Sequence, residues 1–115
     1  MGLAREHGAA AEDLAAAYLR LIGWQLDERN ARLGGVEVDL VAREGRTTVL
    51  VEVKYRARSD YGGADAAIDA RKRERLRRAA LAAGAERVDV RIDIVSLEPV
   101  ADGLRLTHHR NAVTG

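Results

Sequence analysis

Residues 36 to 54, Val-Glu-Val-Asp-Leu-Val-Ala-Arg-Glu-Gly-Arg-Thr-Thr-Val-Leu-Val-Glu-Val-Lys, form two alternating runs separated by Glu44-Gly45. Alternation with period two predicts strands, and a glycine-containing break between them predicts a β-hairpin. Successive side chains of a strand point to opposite faces. Glu37 and Asp39 are therefore expected on one face of the first strand, with Val36, Val38 and Leu40 on the other. In the second strand Glu52 and Lys54 share a face, opposite Val49, Val51 and Val53. A turn centred on Glu44-Gly45 pairs Glu37 with Glu52 and Asp39 with Leu50, and sends all four polar groups to one side.

Carboxylates placed across from one another destabilise a sheet, so folding alone gives no reason for this arrangement. One lysine cannot neutralise three carboxylates, whereas a divalent cation with oxygen ligands can. The pattern thus points to a metal site. The ordinary alternative is the solvated face of an antiparallel sheet. Two features speak against it. Leu50 interrupts the polar face of the second strand, and Lys54 is one of only two lysines in a chain with seventeen arginines. Lysine is a compact charge whose pKa shifts readily, unlike guanidinium.

A chain of 115 residues has room for one domain, residues 1–115, with a modest core. A formal net charge of +1 sets up no global field towards nucleic acid or membrane. The basic residues are nevertheless bunched: Arg71, Lys72, Arg73, Arg75, Arg77 and Arg78 face only Glu74. With no cysteine, neither a disulfide framework nor a thiolate metal site is available, as suits a reducing cytoplasm. No signal peptide or long apolar run is visible, so a cytoplasmic protein without a membrane span is expected. One Trp, three Tyr and no Phe leave little for base-stacking platforms.

Taken in order, residues 9 to 22 predict a helix stopped by Gly23, with an apolar stripe through Ala11, Leu14, Ala15, Tyr18 and Ile22. Glu12 lies at the edge of that stripe. It is either a first-turn partner for the helix dipole or a contributor to the carboxylate face. Trp24 to Ala31 reads as a strand with Trp24 and Leu26 inward, and Arg32 to Gly35 as a loop into the hairpin. A polar loop from Arg56 to Gly63 offers Arg56, Arg58 and Ser59 to an anion. Residues 64 to 83 predict a second helix with Ile68, Leu76, Ala79, Ala80 and Ala83 inward. Lys72 falls on that inward face, where it either snorkels to solvent or points at the sheet. Arg87 to Leu97 is a further strand ended by Pro99, Leu104 to His109 a last short one, and Asn111 to Gly115 a loose tail. His7, His108 and His109 are read as non-ligands, since adjacent strand residues face opposite ways.

These segments, in this order, resemble the YraN family of small bacterial proteins. The matching stretches are Glu12 to Leu19, Arg29 to Arg32, Glu37 to Ala42, Val51 to Arg56, Ala67-Ile68 with Lys72 and Arg75-Leu76, Arg91 to Val95, and Asn111 to Val113. That family is similar to the restriction-endonuclease-like, PD-(D/E)XK, superfamily and to archaeal Holliday-junction resolvases. The resemblance implies a catalytic set of Asp39, Glu52 and Lys54. It matches Glu12 to the helix acid that junction resolvases use near the metal, and Glu37 to an acid typical of the family. Val36 and Ala11 stand where glycines are expected, but neither removes a ligand.

The expected fold is a three-layer α/β/α domain with a mixed sheet of about five strands, in the order αβββαβ plus a short last strand. The expected function is a nuclease dependent on Mg²⁺ or Mn²⁺ that hydrolyses phosphodiester bonds in structured or branched DNA, rather than RNA. Asp39 and Glu52 would hold the ion, with Glu37 and Glu12 contributing. Lys72, Arg71, Arg73, Arg75 and Arg56 would contact backbone phosphates. Symmetric cutting of two strands would call for a homodimer, although the sequence carries no dimer signature. Two rivals are a non-catalytic nucleic-acid-binding or protein-interaction module that keeps the fold, and an interaction protein with no nucleic-acid partner.

Overall fold

The computed structural model describes residues 2–56, 70–85 and 89–113, with side chains from Gly8 onward. Its elements run α1 (Gly2–Leu21), β1 (Gln25–Leu33), β2 (Val36–Glu44), β3 (Thr47–Tyr55), α2 (Ala70–Gly84), β4 (Asp89–Val100) and β5 (Gly103–His109). The αβββαββ order and the mixed α/β class agree with expectation. The predicted start of the second helix, with Ile68, lies outside the described residues, as do Arg58, Ser59 and Arg87.

The five strands form one sheet in the order β1-β2-β3-β4-β5. Only β3 and β4 run parallel, and the connection between them contains α2, as a parallel crossover requires. Alanine-rich α1 lays Ala11, Ala15, Ala16 and Leu19 against one face of the sheet, with Leu40, Ala42, Val49, Val51, Val95 and Leu97 opposite. On the other face Leu76, Ala79 and Ala83 of α2 meet Val36, Val38, Val41, Leu50 and Ile92.

Several expectations need correction. The α1 stripe runs through Leu19, whereas Leu14 and Ile22 are exposed, because the small alanines let the helix roll close to the sheet. α1 starts at Gly2, seven residues before the predicted start. Glu12 is thus in mid-helix and no partner for the positive helix end. Arg32 and Leu33 belong to β1, and only Gly34-Gly35 forms the turn, both with positive φ (59° and 77°). Gly34 also lies close under α2, where a Cβ would meet Ala82 Cβ at 3.1 Å and the Arg78 carbonyl oxygen at 3.2 Å.

Pro99 does not end β4, which continues to Val100. The β3 ladder stops at Leu97, so the missing proline N–H falls where β4 has only β5 beside it. Within the expected loose tail, Asn111 to Val113 are held in place, and residues 114–115 lie outside the described residues. Asn111, at φ 52°, turns the chain back so that the Ala112 N–H donates to the Ile92 carbonyl. Val113 is then buried in the α2-side core.

Candidate metal centre on the central hairpin

The hairpin turn is Gly45-Arg46, with Glu44 paired to Thr47 and Gly45 at φ 60°. Glycine at the first position of a two-residue turn is what a right-twisted hairpin favours. The register therefore differs by two residues from the expected one, and Glu37 does not face Glu52. The ladder's last pair is Leu40 with Val51. One residue further along each strand stand Asp39 and Glu52, where the two backbones part.

β2 changes face at this point. Val36 and Val38 pack on the α2 side, but Leu40 and Ala42 pack on the α1 side. The three residues expected to share a face are thus split. In β1 the flanking pairs Arg29–Leu40 and Ala31–Val38 bracket Asn30 and Asp39, and Asn30 has φ 52°. Asparagine is among the few non-glycine residues that enter the left-handed region readily. The kink frees Asp39 from strand alternation, and its Oδ2 accepts a hydrogen bond of 2.8 Å from the Val53 N–H.

Glu52 is 4% exposed and faces α2, from which the Lys72 ammonium reaches its Oε2 at 2.8 Å. Lys72 therefore points at the sheet and does not snorkel. The other carboxylate oxygen, Oε1, is buried without a hydrogen-bond partner among the described residues. A buried polar atom left this way is costly. Burial first, and then the Asp39 charge, push the Glu52 carboxyl above the usual range, against the opposing pull of Lys72 and Lys54. Lys54 is half-buried, two residues on and on the same side of β3.

On the opposite face, Glu12 projects from α1. Burial, then Asp39, raise its pKa, while Arg29, 3.9 Å away, pulls it down. Glu37 is exposed and acts on Glu12 only through its charge. Asp39 thus lies between an acid facing α1 and another facing α2. Among the described residues no three His, Cys, Asp or Glu side chains gather closely enough to hold an ion. The four expected ligands do not converge as a set.

Asp39 and Glu52 still fit a hard cation. Magnesium commonly keeps several waters and takes only one or two carboxylates from the protein, and Oε1 is an acceptor without a donor among the described residues.

Comparison with known proteins places these residues in a family. The model described as "Uncharacterised protein family UPF0102" matches residues 11–97, from Glu12 through α2 and most of β4. The chain belongs to the UPF0102 family. It is similar to a UPF0102 protein of Geobacter sulfurreducens, 40% identical over 110 residues that cover 91% of this chain and 86% of that protein. A second relative, from Methylococcus capsulatus, is 44% identical over 109 residues, 92% and 89% of the two chains. One from Dechloromonas aromatica is 51% identical over 69 residues, 60% and 58% of the two chains. This is the family to which the YraN resemblance pointed.

In this UPF0102 protein the basic residues of α2 are unevenly committed. Arg71 and Arg75 are exposed, Arg73 is partly covered, and Arg77 pairs with Glu74. Arg56 closes the end of β3, its N–H donating to the Leu97 carbonyl. Lys72 is held by Glu52, so it does not stand ready for phosphate as expected.

A second polar cluster escaped the sequence reading. Asp93 is fully buried and accepts hydrogen bonds from Arg91 at 2.9 Å and from the Asn111 N–H at 2.9 Å. His108 Nε2 lies 2.8 Å from its Oδ2, and His108 Nδ1 is 2.7 Å from the Tyr18 hydroxyl. Burial alone would raise the Asp93 carboxyl, but Arg91, the Asn111 N–H and His108 outweigh it and hold it below the usual range. Trp24 stacks against Arg91 and Arg110. The only sequence hint was an acid amid the apolar run Ile92 to Val95. This cluster ties α1, β4 and β5 together, and none of its buried side-chain polar atoms is without a hydrogen-bond partner. A hollow of about 740 Å³ between α2 and β4, lined by Leu81, Val90, Ile92 and Val113, has no carboxylate in its lining among the described residues.

Proposed function

We propose that this UPF0102 protein is a divalent-metal-dependent nuclease of the PD-(D/E)XK type, hydrolysing phosphodiester bonds in structured or branched DNA. The observation that carries the proposal is the placement of Asp39 beside buried Glu52 where β2 and β3 separate, with Glu52 Oε1 lacking a partner among the described residues and Lys54 two residues on. Asp39 and Glu52 would hold Mg²⁺ or Mn²⁺. The ion, when bound, supplies a more acidic water and offsets negative charge on the phosphate oxygens. Lys54 orients the attacking water or stabilises the pentavalent transition state. Val53 N–H fixes Asp39 through one oxygen and leaves the other for the ion. Arg71, Arg73, Arg75 and Arg56 contact backbone phosphates without reading sequence.

A second reading has its own support. Glu52 is already paired with Lys72, and among the described residues no third acid joins Asp39 and Glu52, as suits a nucleic-acid-binding or protein-interaction module that keeps the nuclease fold without the chemistry. The experiment that separates them is a screen of the purified protein against single-stranded, duplex, flapped and four-way DNA with Mg²⁺ or Mn²⁺. Cleavage lost in Glu52→Gln supports the nuclease. Binding to structured DNA without cleavage supports the module, and no binding at low salt removes both.

A further inference from the structure

Lys72 is anchored on α2, its side chain is one-third exposed, and its ammonium lies 2.8 Å from Oε2 of a Glu52 side chain that is 5% exposed. A buried carboxylate beside a second one is strongly unfavourable unless a cation faces it. We propose that Lys72 is a built-in placeholder cation: it holds Glu52 in the metal-free protein and yields the carboxylate to a divalent ion. The inference rests on the metal reading above and concerns how that site is loaded.

Three observations carry it. Of the two Glu52 oxygens the ammonium contacts Oε2, and the other, Oε1, has no hydrogen-bond partner among the described residues. The carboxylate can therefore be approached by an ion before the lysine has left. The lysine stem is long and flexible with a compact charge at its end, and its partial exposure gives the head a way out to water. Lys54, the other lysine of the chain, acts on Glu52 only through its charge, so among the described residues Lys72 is the cation in direct contact with this carboxylate. An ammonium and a divalent ion on one carboxylate repel each other, so the two occupants are negatively coupled, and the coupling is reciprocal. Once displaced, the ammonium remains on α2 beside Arg71 and Arg75, on the surface assigned to phosphate. Metal loading thereby adds a positive charge to the nucleic-acid face.

The test uses substrate-free protein and calorimetric titration with Mn²⁺ on the parent, Lys72→Met, Lys72→Arg and Glu52→Gln. Lys72→Met is expected to bind Mn²⁺ roughly tenfold more tightly, within the usual range for coupled sites. It should also melt at a lower temperature than the parent without metal. Lys72→Arg, which keeps a cation, should stay close to the parent. Unchanged or weaker affinity in Lys72→Met overturns the inference alone, provided that Glu52→Gln abolishes binding. Mn²⁺ that binds neither parent nor Lys72→Met overturns the metal reading, and this inference with it.

A second measurement needs no variant. The chain has two lysines, so ¹⁵N-lysine labelling gives two side-chain ammonium resonances. Saturating Mg²⁺ should shift the Lys72 resonance and speed its proton exchange with water. A Lys72 resonance unmoved at saturation overturns the proposal.

Discussion

Asp39 accepts a 2.8 Å hydrogen bond from the Val53 N–H across the point where β2 and β3 separate, so one carboxylate oxygen is structural and the other is available. This division makes Asp39→Ala and Asp39→Asn different experiments. Alanine removes an acceptor and leaves a partly buried N–H without its partner, costing about 1 kcal/mol. Part of that cost is offset by relief of repulsion with Glu52 and Glu12. Asparagine can keep the bond through its side-chain oxygen while losing the charge. Asp39→Asn should therefore melt at or above the parent temperature without metal, yet lose both Mn²⁺ binding and cleavage. A clear stability loss in Asp39→Asn would make the charge itself structural.

Asn30 should tolerate glycine but not a β-branched residue. Its φ of 52° lies where valine is strained, and the left-handed conformation costs an ordinary residue about 1–2 kcal/mol. Asn30→Val is expected to lower stability by that amount and to weaken Mn²⁺ binding by displacing Asp39 opposite. Asn30→Gly should do neither. Chemical denaturation and calorimetry on the same preparations check both.

Lys54→Arg should not behave as a conservative change. Guanidinium is larger, planar and permanently charged, and position 54 is half-buried beside Glu52. The variant should retain metal and DNA binding but slow single-turnover cleavage by about a hundredfold or more, a loss on the order of 3 kcal/mol in transition-state stabilisation. Cleavage at the parent rate would reduce Lys54 to bulk positive charge.

Among the α2 cations, Arg71 and Arg75 are the ones to probe for phosphate contact, because both are exposed and neither forms an ion pair with a described residue. If each meets one phosphate, Arg71→Gln and Arg75→Gln should each flatten the log–log salt dependence of DNA binding by about one unit. An unchanged slope in both would make this face ordinary solvated charge.

Asp93→Asn should destabilise the protein by about 1.5–3 kcal/mol near neutral pH, because it removes the charge from buried hydrogen bonds to Arg91 and His108, while Arg91 keeps its ion pair with Glu44. The pH dependence has a definite sign. The folded-state pKa of Asp93 is depressed, so its contribution is fully present above the ordinary aspartate value of about 3.9. It is lost as pH falls through the lower folded value. The stability gap between parent and Asp93→Asn should therefore narrow as pH falls below about 4. Equilibrium denaturation at a series of pH values measures the gap directly.

The alternation around Val49 to Lys54 made the hairpin legible, and Gly23 together with the helical spacing of Leu76, Ala79 and Ala83 made the helices so. Asp39, Glu52 and Lys54 emerged from charges that a sheet has no reason to place together. Register was the first thing missed, because a shift of two residues preserves every inside–outside assignment in β3. The face change in β2 was missed because it comes from the backbone of Asn30, in the neighbouring strand, and leaves no mark on the hydrophobic pattern of residues 36 to 42. The Asp93–His108–Tyr18 cluster was invisible for a related reason. Its members come from three elements, and each is unremarkable in its own segment. Lys72 was placed on the inward face, but spacing alone could not tell a stem reaching water from one reaching Glu52.

Trp24, the single tryptophan of the chain, is 6% exposed, with Arg91 and Arg110 against its ring and His108 edge-on at 5.3 Å. The consequence is optical. Tryptophan fluorescence of this protein, excited beyond the absorption of its three tyrosines, comes from one indole, locked among groups of α1, β4 and β5 on the sheet face away from Glu52 and Lys72. Its emission shifts to the red when that cluster opens to water, so it reports folding from the opposite side of the molecule to the lysine resonances. Loading of the carboxylate pair and unfolding of the domain can thus be followed separately, in one sample, without attaching a label.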